Sequence, residues 1–387
     1  MSWPVKEKPL LVFWETTKAC KLSCKHCRAE AIKNPLPGEL DADEAFQLID
    51  MIAKFGQPYP ILVLTGGDPL MRKDIKEIVE YAVDRKIKTA LSPAVTELLE
   101  QNIKWITESG VNAVSISIDS ASPHIHDEIR GVPGVWEKSI KVTRELVVKG
   151  VNVQINSVVM NSTKEGLADL FALVKKLGIS VWEVFYLVPT GRASFEEMLT
   201  PREWEDVSHF LYEASKYGVI IRTTEGPMYR RVAWIRSKLE EYGYNPDEIL
   251  GMGRLYGRLV TRLRSILGKA SIKPIVPRMF TRDGVGIVFV SYDGNVYPSG
   301  FLKLSAGNVR FRSLTDIYRH SRVFQLLREG MFKGRCGECE FKNICGGSRA
   351  RAFSVHGDPF ESDPACDYRP GEYSELISKL GLNGELP

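Results

Sequence analysis

Short apolar segments alternate with amphipathic ones from residue 9 to residue 218. The apolar segments are LLVFWE (10–15), ILVLTG (61–66), TALSP (89–93), AVSISID (113–119), VQINSVV (153–159) and WEVFYLV (182–188). They are rich in Val, Ile and aromatic residues, as buried parallel strands are. Helical patterns lie between them, near 41–55, 73–86, 96–109, 136–149, 164–177 and 202–217. Five of these run into Gly56, Gly110, Gly150, Gly178 and Gly218, the residue type that ends a helix in the left-handed conformation. Asp41 with Glu44, and Ser162 with Glu165, have the spacing of capping boxes.

Six βα units in a row predict an α/β fold, a parallel sheet with right-handed crossovers. An open doubly wound sheet and a barrel both satisfy the pattern, and both place ligand sites at the carboxyl ends of the strands. The least ordinary sequences fall there. TTKACKLSCKHC follows the first strand, GGDP the second, DSASPHIHDEIRG the fourth and PTGRA the sixth.

The rhythm breaks at residue 226 and changes again at 283, which divides the chain into 1–225, 226–282 and 283–387. Between Gly251 and Arg282 there is no acidic residue, but there are eight basic ones: Arg254, Arg258, Arg262, Arg264, Lys269, Lys273, Arg278 and Arg282. Leu255, Leu259, Leu263 and Leu267 recur every fourth position, which makes part of this segment a basic amphipathic helix. Three uses fit it: a solvated helix face over the barrel, a lid that attracts an anionic substrate, or peripheral docking on anionic lipid through 254–282. Beyond it, GVGIVFVSYDGNVYPSG predicts a β-hairpin turning at Asp293 and Gly294, and a short helix follows at 314–329.

A net charge of +4 exerts no strong pull toward nucleic acid. No apolar run reaches the ~18–20 residues of a membrane span. MSWPVKEKPLLVFWE lacks a signal-peptide pattern, so a cytoplasmic location is expected. The seven cysteines fall into two groups, Cys20, Cys24 and Cys27, then Cys336, Cys339, Cys345 and Cys366. Such grouping in a long chain points to metal or iron–sulfur ligation rather than disulfides.

Three thiolates leave one iron of a four-iron cluster open, and an open position is what substrate chemistry requires. The alternative is a zinc knuckle completed by His26. Gly66 and Gly67 permit close approach of backbone to a ligand. Asp68 can accept from an ammonium group or cap the next helix. Arg130 can fork onto a carboxylate or pair with Asp127 or Glu128. Ser117 and Asp119 end the fourth strand, and Asn156 on the fifth can meet a ribose hydroxyl. His124 and His126 either reach substrate or merely cap and pack. The distal four cysteines make a closed site for zinc or for a fully ligated [4Fe–4S] cluster.

CxxxCxxC after the first strand, GGDP after the second and six βα units together resemble the radical S-adenosylmethionine (SAM) superfamily. That resemblance implies a partial (β/α)6 barrel of TIM type. It implies a [4Fe–4S] cluster on Cys20, Cys24 and Cys27, with SAM on the open iron, cleaved to a 5′-deoxyadenosyl radical that abstracts hydrogen. Gly66, Gly67 and Asp68 then bind the SAM amino group, Ser117 and Arg130 its carboxylate, Asn156 its ribose, and Leu187 or Val188 its adenine. Asp68 stands where the family usually has Glu, and His26 where it commonly has an aromatic residue. The distal segment resembles a SPASM or twitch extension carrying an auxiliary [4Fe–4S] cluster on Cys336, Cys339, Cys345 and Cys366. Ser299 and Ser348 stand where relatives carry cysteine, which leaves one auxiliary cluster. VFWETTKACKLSCKHCRAEA, IHDEIRGVPGVWE and CGECEFKNICGGSRARAFSVHGDP resemble the heme-synthesis branch. This implies an anionic tetrapyrrole substrate, oxidative decarboxylation of porphyrin propionates, and an electron donor such as ferredoxin or flavodoxin. A maturase acting on a peptide, protein or lipid is a second reading. A non-enzymatic iron–sulfur or zinc scaffold, binding nucleic acid through 254–282, is a third.

Overall fold

The structure is a computed structural model that describes residues 3–270, 272–276 and 281–382. Arg278 of the basic segment lies outside them. Seven parallel strands, β1 (Leu11–Glu15), β2 (Ile61–Thr65), β3 (Thr89–Leu91), β4 (Ala113–Ser117), β5 (Val153–Val159), β6 (Val181–Tyr186) and β7 (Ile220–Thr224), pair in chain order. Consecutive order is that of a barrel wound in one direction, not of a doubly wound sheet. The helices between them are α1 (Ala42–Ala53), α2 (Ile75–Asp84), α3 (Thr96–Glu108), α4 (Pro123–Arg130), α5 (Val135–Val148), α6 (Leu167–Lys176) and α7 (Pro201–Ser215). The five terminal glycines all adopt positive φ, between +75° and +88°. The Asp41–Glu44 capping box forms. The Ser162–Glu165 box does not, because Ser162 Oγ donates instead to Glu197 at 2.9 Å. A separate capping box at Thr200 and Glu203 starts α7.

All six expected βα units are present, and a further strand, β7, follows them. β7 was hidden because Arg222, Thr223 and Thr224 make its second half polar. Past it lie α8 (Met228–Glu241), the short α9 (Pro246–Ile249) and α10 (Arg254–Leu267). The predicted hairpin is β8 (Ile287–Val290) with β9 (Asn295–Tyr297), joined through Gly294 at φ +83°. β10 (Gly307–Asn308) extends it. β8 also pairs in parallel with β1, from Leu11↔Ile287 to Trp14↔Val290, so the distal segment shares the barrel sheet. Then follow α11 (Leu314–His320), α12 (Arg322–Glu329), α13 (Gly334–Glu338), α14 (Arg349–His356) and α15 (Glu372–Lys379).

Buried and half-buried residues alternate along β1, β2, β4, β5 and β6. The buried set, with Val12, Leu62, Val114, Ile155 and Trp182, joins the main core. The half-buried set, with Phe13, Thr65, Ser117, Asn156 and Phe185, faces the barrel interior. A closed eight-stranded barrel fills its interior with side chains. This interior stays partly accessible, which leaves room for a substrate.

The apolar stripe of the basic segment packs on protein, and the α10 arginines point outward. α10 lies on the outer layer against α6 and α7. Leu255, Leu259 and Leu263 are buried there, so the apolar stripe serves the core. Arg258 pairs with Glu165 at 2.5 Å and Arg262 with Asp169 at 2.6 Å, which answers much of its charge locally. Among the described residues, no helix is long and apolar enough to cross a membrane.

Candidate active site

Residues 16–32 form a loop at the carboxyl end of β1. It closes on itself where Cys20 N donates to Ile32 O at 2.7 Å. GGDP supports it from β2: Gly67 N donates to Thr17 O at 2.7 Å, and Asp68 N to Ala19 O at 2.8 Å. A Cβ on Gly66 would lie 2.4 Å from Thr17 O, and one on Gly67 2.3 Å from Ala19 O. The glycines are therefore demanded by the cysteine loop itself. PTGRA holds it from β6, with Arg192 Nε donating to Cys24 O and Nη1 to Ala31 O, both at 2.9 Å. Arg192 is a positioning residue that the sequence motif flagged without assigning.

Each sulfur receives an N–H. Leu22 N points at Cys20 Sγ (3.4 Å), Ala31 N at Cys27 Sγ (3.5 Å) and Arg130 Nη1 at Cys24 Sγ (3.7 Å). Such donors suit anionic sulfur and tune an iron–sulfur cluster. Leu22, Ala31, Val95 and Val135 surround the thiols with apolar contacts. Burial pushes the Cys20 thiol up to about 12 and raises Cys24. Metal binding must therefore displace those protons. Three sulfurs, each met by an N–H donor and set among apolar side chains, have the chemistry that thiolate ligation of a cluster requires.

Both carboxylate oxygens of Asp68 are engaged by backbone amides. Its Oδ1 accepts from Leu70 N at 2.8 Å, and Oδ2 from Ala94 N at 2.9 Å and Val95 N at 2.5 Å. Burial pushes its carboxyl up to about 6 against the pull of those amides. Arg130 pairs with neither Asp127 nor Glu128. It is buried and meets Asp119 Oδ2 at 2.7 Å, while Asp127 caps α5 and Glu128 pairs with Lys25. His26 Nε2 lies 3.2 Å from the same Asp119 oxygen, so His26 does more than pack. Burial alone would raise Asp119, but Arg130 and then His26 hold it well below the usual carboxylate range. Ser117 and Asn156 stand on the interior face, and Asn156 Oδ1 accepts from Gln154 at 2.8 Å. Leu187 lines a pocket of about 590 Å³ with His26, Met160 and Arg192. Val188 is buried.

His124 is exposed, whereas His126 is fully buried and its Nδ1 accepts from Asp119 N at 3.1 Å. Burial, helped by the Arg130 charge, pushes His126 down to about 4. An unfolded histidine titrates near ~6.5. Between those values the unfolded chain binds more protons, so stability falls as pH drops from ~6.5 toward ~4. Thermal melts of parent and His126→Gln should therefore differ less at acid pH than at neutral pH. A gap that does not change with pH contradicts this.

The distal cysteines also converge. Cys336, Cys339, Cys345 and Cys366 line one cavity with Met228, Arg231 and Gly347. Cys336 Sγ accepts from Asp363 N at 3.3 Å and Arg349 Nη2 at 3.5 Å, and Cys339 Sγ from Phe341 N at 3.4 Å. A Cβ on Gly347 would sit 3.0 Å from Cys336 Sγ. Burial pushes Cys345 up to about 11 and Cys366 up to about 12, while Arg231 pulls both down. Arg231 comes from α8, forks onto Glu205 of α7 at 2.8 and 2.6 Å, and stacks over Tyr368 at 4.3 Å. It places a cation on the wall of the four-cysteine cavity, and no local motif marks it. Ser348 caps α14, and Ser299 Oγ accepts from Leu302 N at 3.2 Å.

A singly wound, open barrel with a three-cysteine loop after β1 defines the radical SAM class, and the profile of the radical SAM superfamily matches residues 14–174. The chain is 39% identical over 364 residues to the AdoMet-dependent heme synthase of Oleidesulfovibrio alaskensis, covering 93% of this chain and 87% of that one. It is 36% identical to the AdoMet-dependent heme synthase of Methanosarcina barkeri, covering 94% and 98%. With such identity over nearly its whole length, the chain belongs to this superfamily and is an enzyme of cofactor biosynthesis. Among solved structures, anSMEcpe with bound AdoMet superposes with TM-score 0.64 at 16% identity, covering 95% of both chains, which shows the shared fold.

Proposed function

We propose that this enzyme oxidatively decarboxylates propionate side chains of an iron porphyrin, such as Fe-coproporphyrin III, to vinyl groups. The observation that carries this reading is the near full-length similarity to the AdoMet-dependent heme synthases. Cys20, Cys24 and Cys27 hold the SAM-binding [4Fe–4S] cluster. SAM bound there would supply a 5′-deoxyadenosyl radical that removes one hydrogen atom from the propionate, and loss of carbon dioxide would then release a second electron to a one-electron acceptor. In this reading Gly66, Gly67 and Asp68 bind the SAM amino group, and Asp68 also ties the cysteine loop to the β3–α3 connection. Arg130 and Ser117 take the SAM carboxylate, Asn156 the ribose and Leu187 the adenine. The interior placement of Ser117 and Asn156 supports these roles, as does the Leu187 pocket. Asp119 fixes Arg130 and His26 beside Cys24. Cys336, Cys339, Cys345 and Cys366 hold an auxiliary [4Fe–4S] cluster, and Arg231 offsets its negative charge. A ferredoxin or flavodoxin in the cytoplasm supplies electrons.

The test is anaerobic. Reconstituted protein with SAM and dithionite should release more 5′-deoxyadenosine when Fe-coproporphyrin III is added, and heme should form. An unchanged yield with intact porphyrin overturns the reading. Stimulation by a peptide instead assigns the enzyme to the maturases.

A further inference from the structure

We infer that Arg28 is a carboxylate-binding residue that seats the substrate beside the SAM loop, an inference that rests on the tetrapyrrole reading above. Arg28 follows Cys27 directly. Its side chain is 18% exposed, and its nearest carboxylate is Glu15 Oε1 at 3.7 Å. That is beyond hydrogen-bond reach, and Glu15 Oε1 has no hydrogen-bond partner among the described residues. Other arginines around the two sites are engaged. Arg130 meets Asp119 at 2.7 Å, Arg192 meets Cys24 O at 2.9 Å, Arg231 meets Glu205 at 2.6 Å and Arg351 meets Asp363 at 2.8 Å. The Arg28 fork makes only the longer ion pair with Glu15 and has no hydrogen-bond partner among the described residues.

The fork is nonetheless held in place. Its Cζ stacks 4.6 Å from the ring centre of Phe289 on β8 and 5.8 Å from that of Phe301. Gly300 makes the space, since a Cβ there would lie 2.9 Å from Arg28 Cζ and 3.0 Å from Nε. Phe301 in turn lies 6.3 Å from Phe185, an interior residue of β6. Phe185 and Phe301 thus form a half-buried aromatic pair, and the buried Phe289 holds the cation beside them. That cation adjoins the cysteine loop. A flat apolar macrocycle bearing carboxylates matches such a pair. Its ring contacts Phe185 and Phe301, and one propionate takes the guanidinium in a bidentate pair. A stacked guanidinium is preorganised, so little freedom is lost on binding. Glu15 steadies the fork from the β1 side.

The experiment is an anaerobic absorbance titration of reconstituted protein with Fe-coproporphyrin III and with its tetramethyl ester. Parent, Arg28→Lys and Arg28→Gln are compared, with iron content measured on each. Arg28→Gln should weaken binding of the acid by about tenfold or more, the size of a lost charge-assisted pair. Arg28→Lys should fall between, because it keeps the charge and loses the fork. The parent should prefer acid over ester, and Arg28→Gln should lose much of that preference, at unchanged iron content. Equal binding by Arg28→Gln, or an unchanged acid–ester preference, overturns the assignment while the tetrapyrrole reading stands. Loss of iron from Arg28→Gln makes Arg28 a support of the cluster and also overturns it. A parent that binds neither porphyrin overturns the tetrapyrrole reading, and the assignment with it.

Discussion

Replacing Cys20, Cys24 or Cys27 by Ala should abolish 5′-deoxyadenosine formation while the distal cluster still assembles. The two cysteine sets belong to different parts of the fold. The first hangs from β1 and is held by GGDP and Arg192. The second lines a cavity built by α13, the loops around it and Arg231 of α8. Loss of one ligand near SAM should therefore lower reconstituted iron from about eight to about four per chain. Cys345→Ala should show the reverse division, losing the distal iron and keeping the iron near SAM. A Cys24→Ala protein that still makes 5′-deoxyadenosine would refute the assignment of the loop.

Arg351→Ala should be the most damaging change away from sulfur. The Arg351 and Asp363 side chains are both 0% exposed and pair at 2.8 and 2.9 Å. Arg351 also donates to Leu187 O at 3.2 Å and Glu225 O at 2.9 Å, past the ends of β6 and β7. One side chain thus joins the distal site to the barrel mouth. Removing it strands a buried carboxylate, at a cost of about 3–5 kcal/mol. The Asp363 amide donates to Cys336 Sγ, so distal iron should fall as well. Arg351→Lys should recover only part, because a point charge cannot serve the fork and two carbonyls together. Denaturant unfolding checks the stability and iron content checks the site. A loss of about 0.5 kcal/mol, as for a surface substitution, would contradict the account.

The barrel was legible because its signals are local. Apolar strands, amphipathic helices and terminal glycines each span fewer than about twenty residues. The cysteine loop and GGDP were legible for the same reason. What escaped depends on partners far apart in the chain. Ser162 met Glu197 instead of Glu165. Arg130 found Asp119 rather than its neighbours on α4, and Asp68 was satisfied by amides some 26 and 27 positions away. The leucine stripe of α10 was read correctly as amphipathic. Its apolar face could not be assigned to protein or membrane until α6 and α7 were seen beneath it. Arg231 and Arg28 carry no motif. Only the fold brings the first to the distal thiols and the second onto two phenylalanines.

Converting a propionate to a vinyl group with loss of carbon dioxide requires removal of hydrogen from the carbon attached to the ring. Fe-coproporphyrin III deuterated at those carbons therefore tests the central claim most directly. The account predicts singly deuterated 5′-deoxyadenosine by mass spectrometry, formed together with the vinyl product. Unlabelled 5′-deoxyadenosine accompanied by unaltered porphyrin would contradict it.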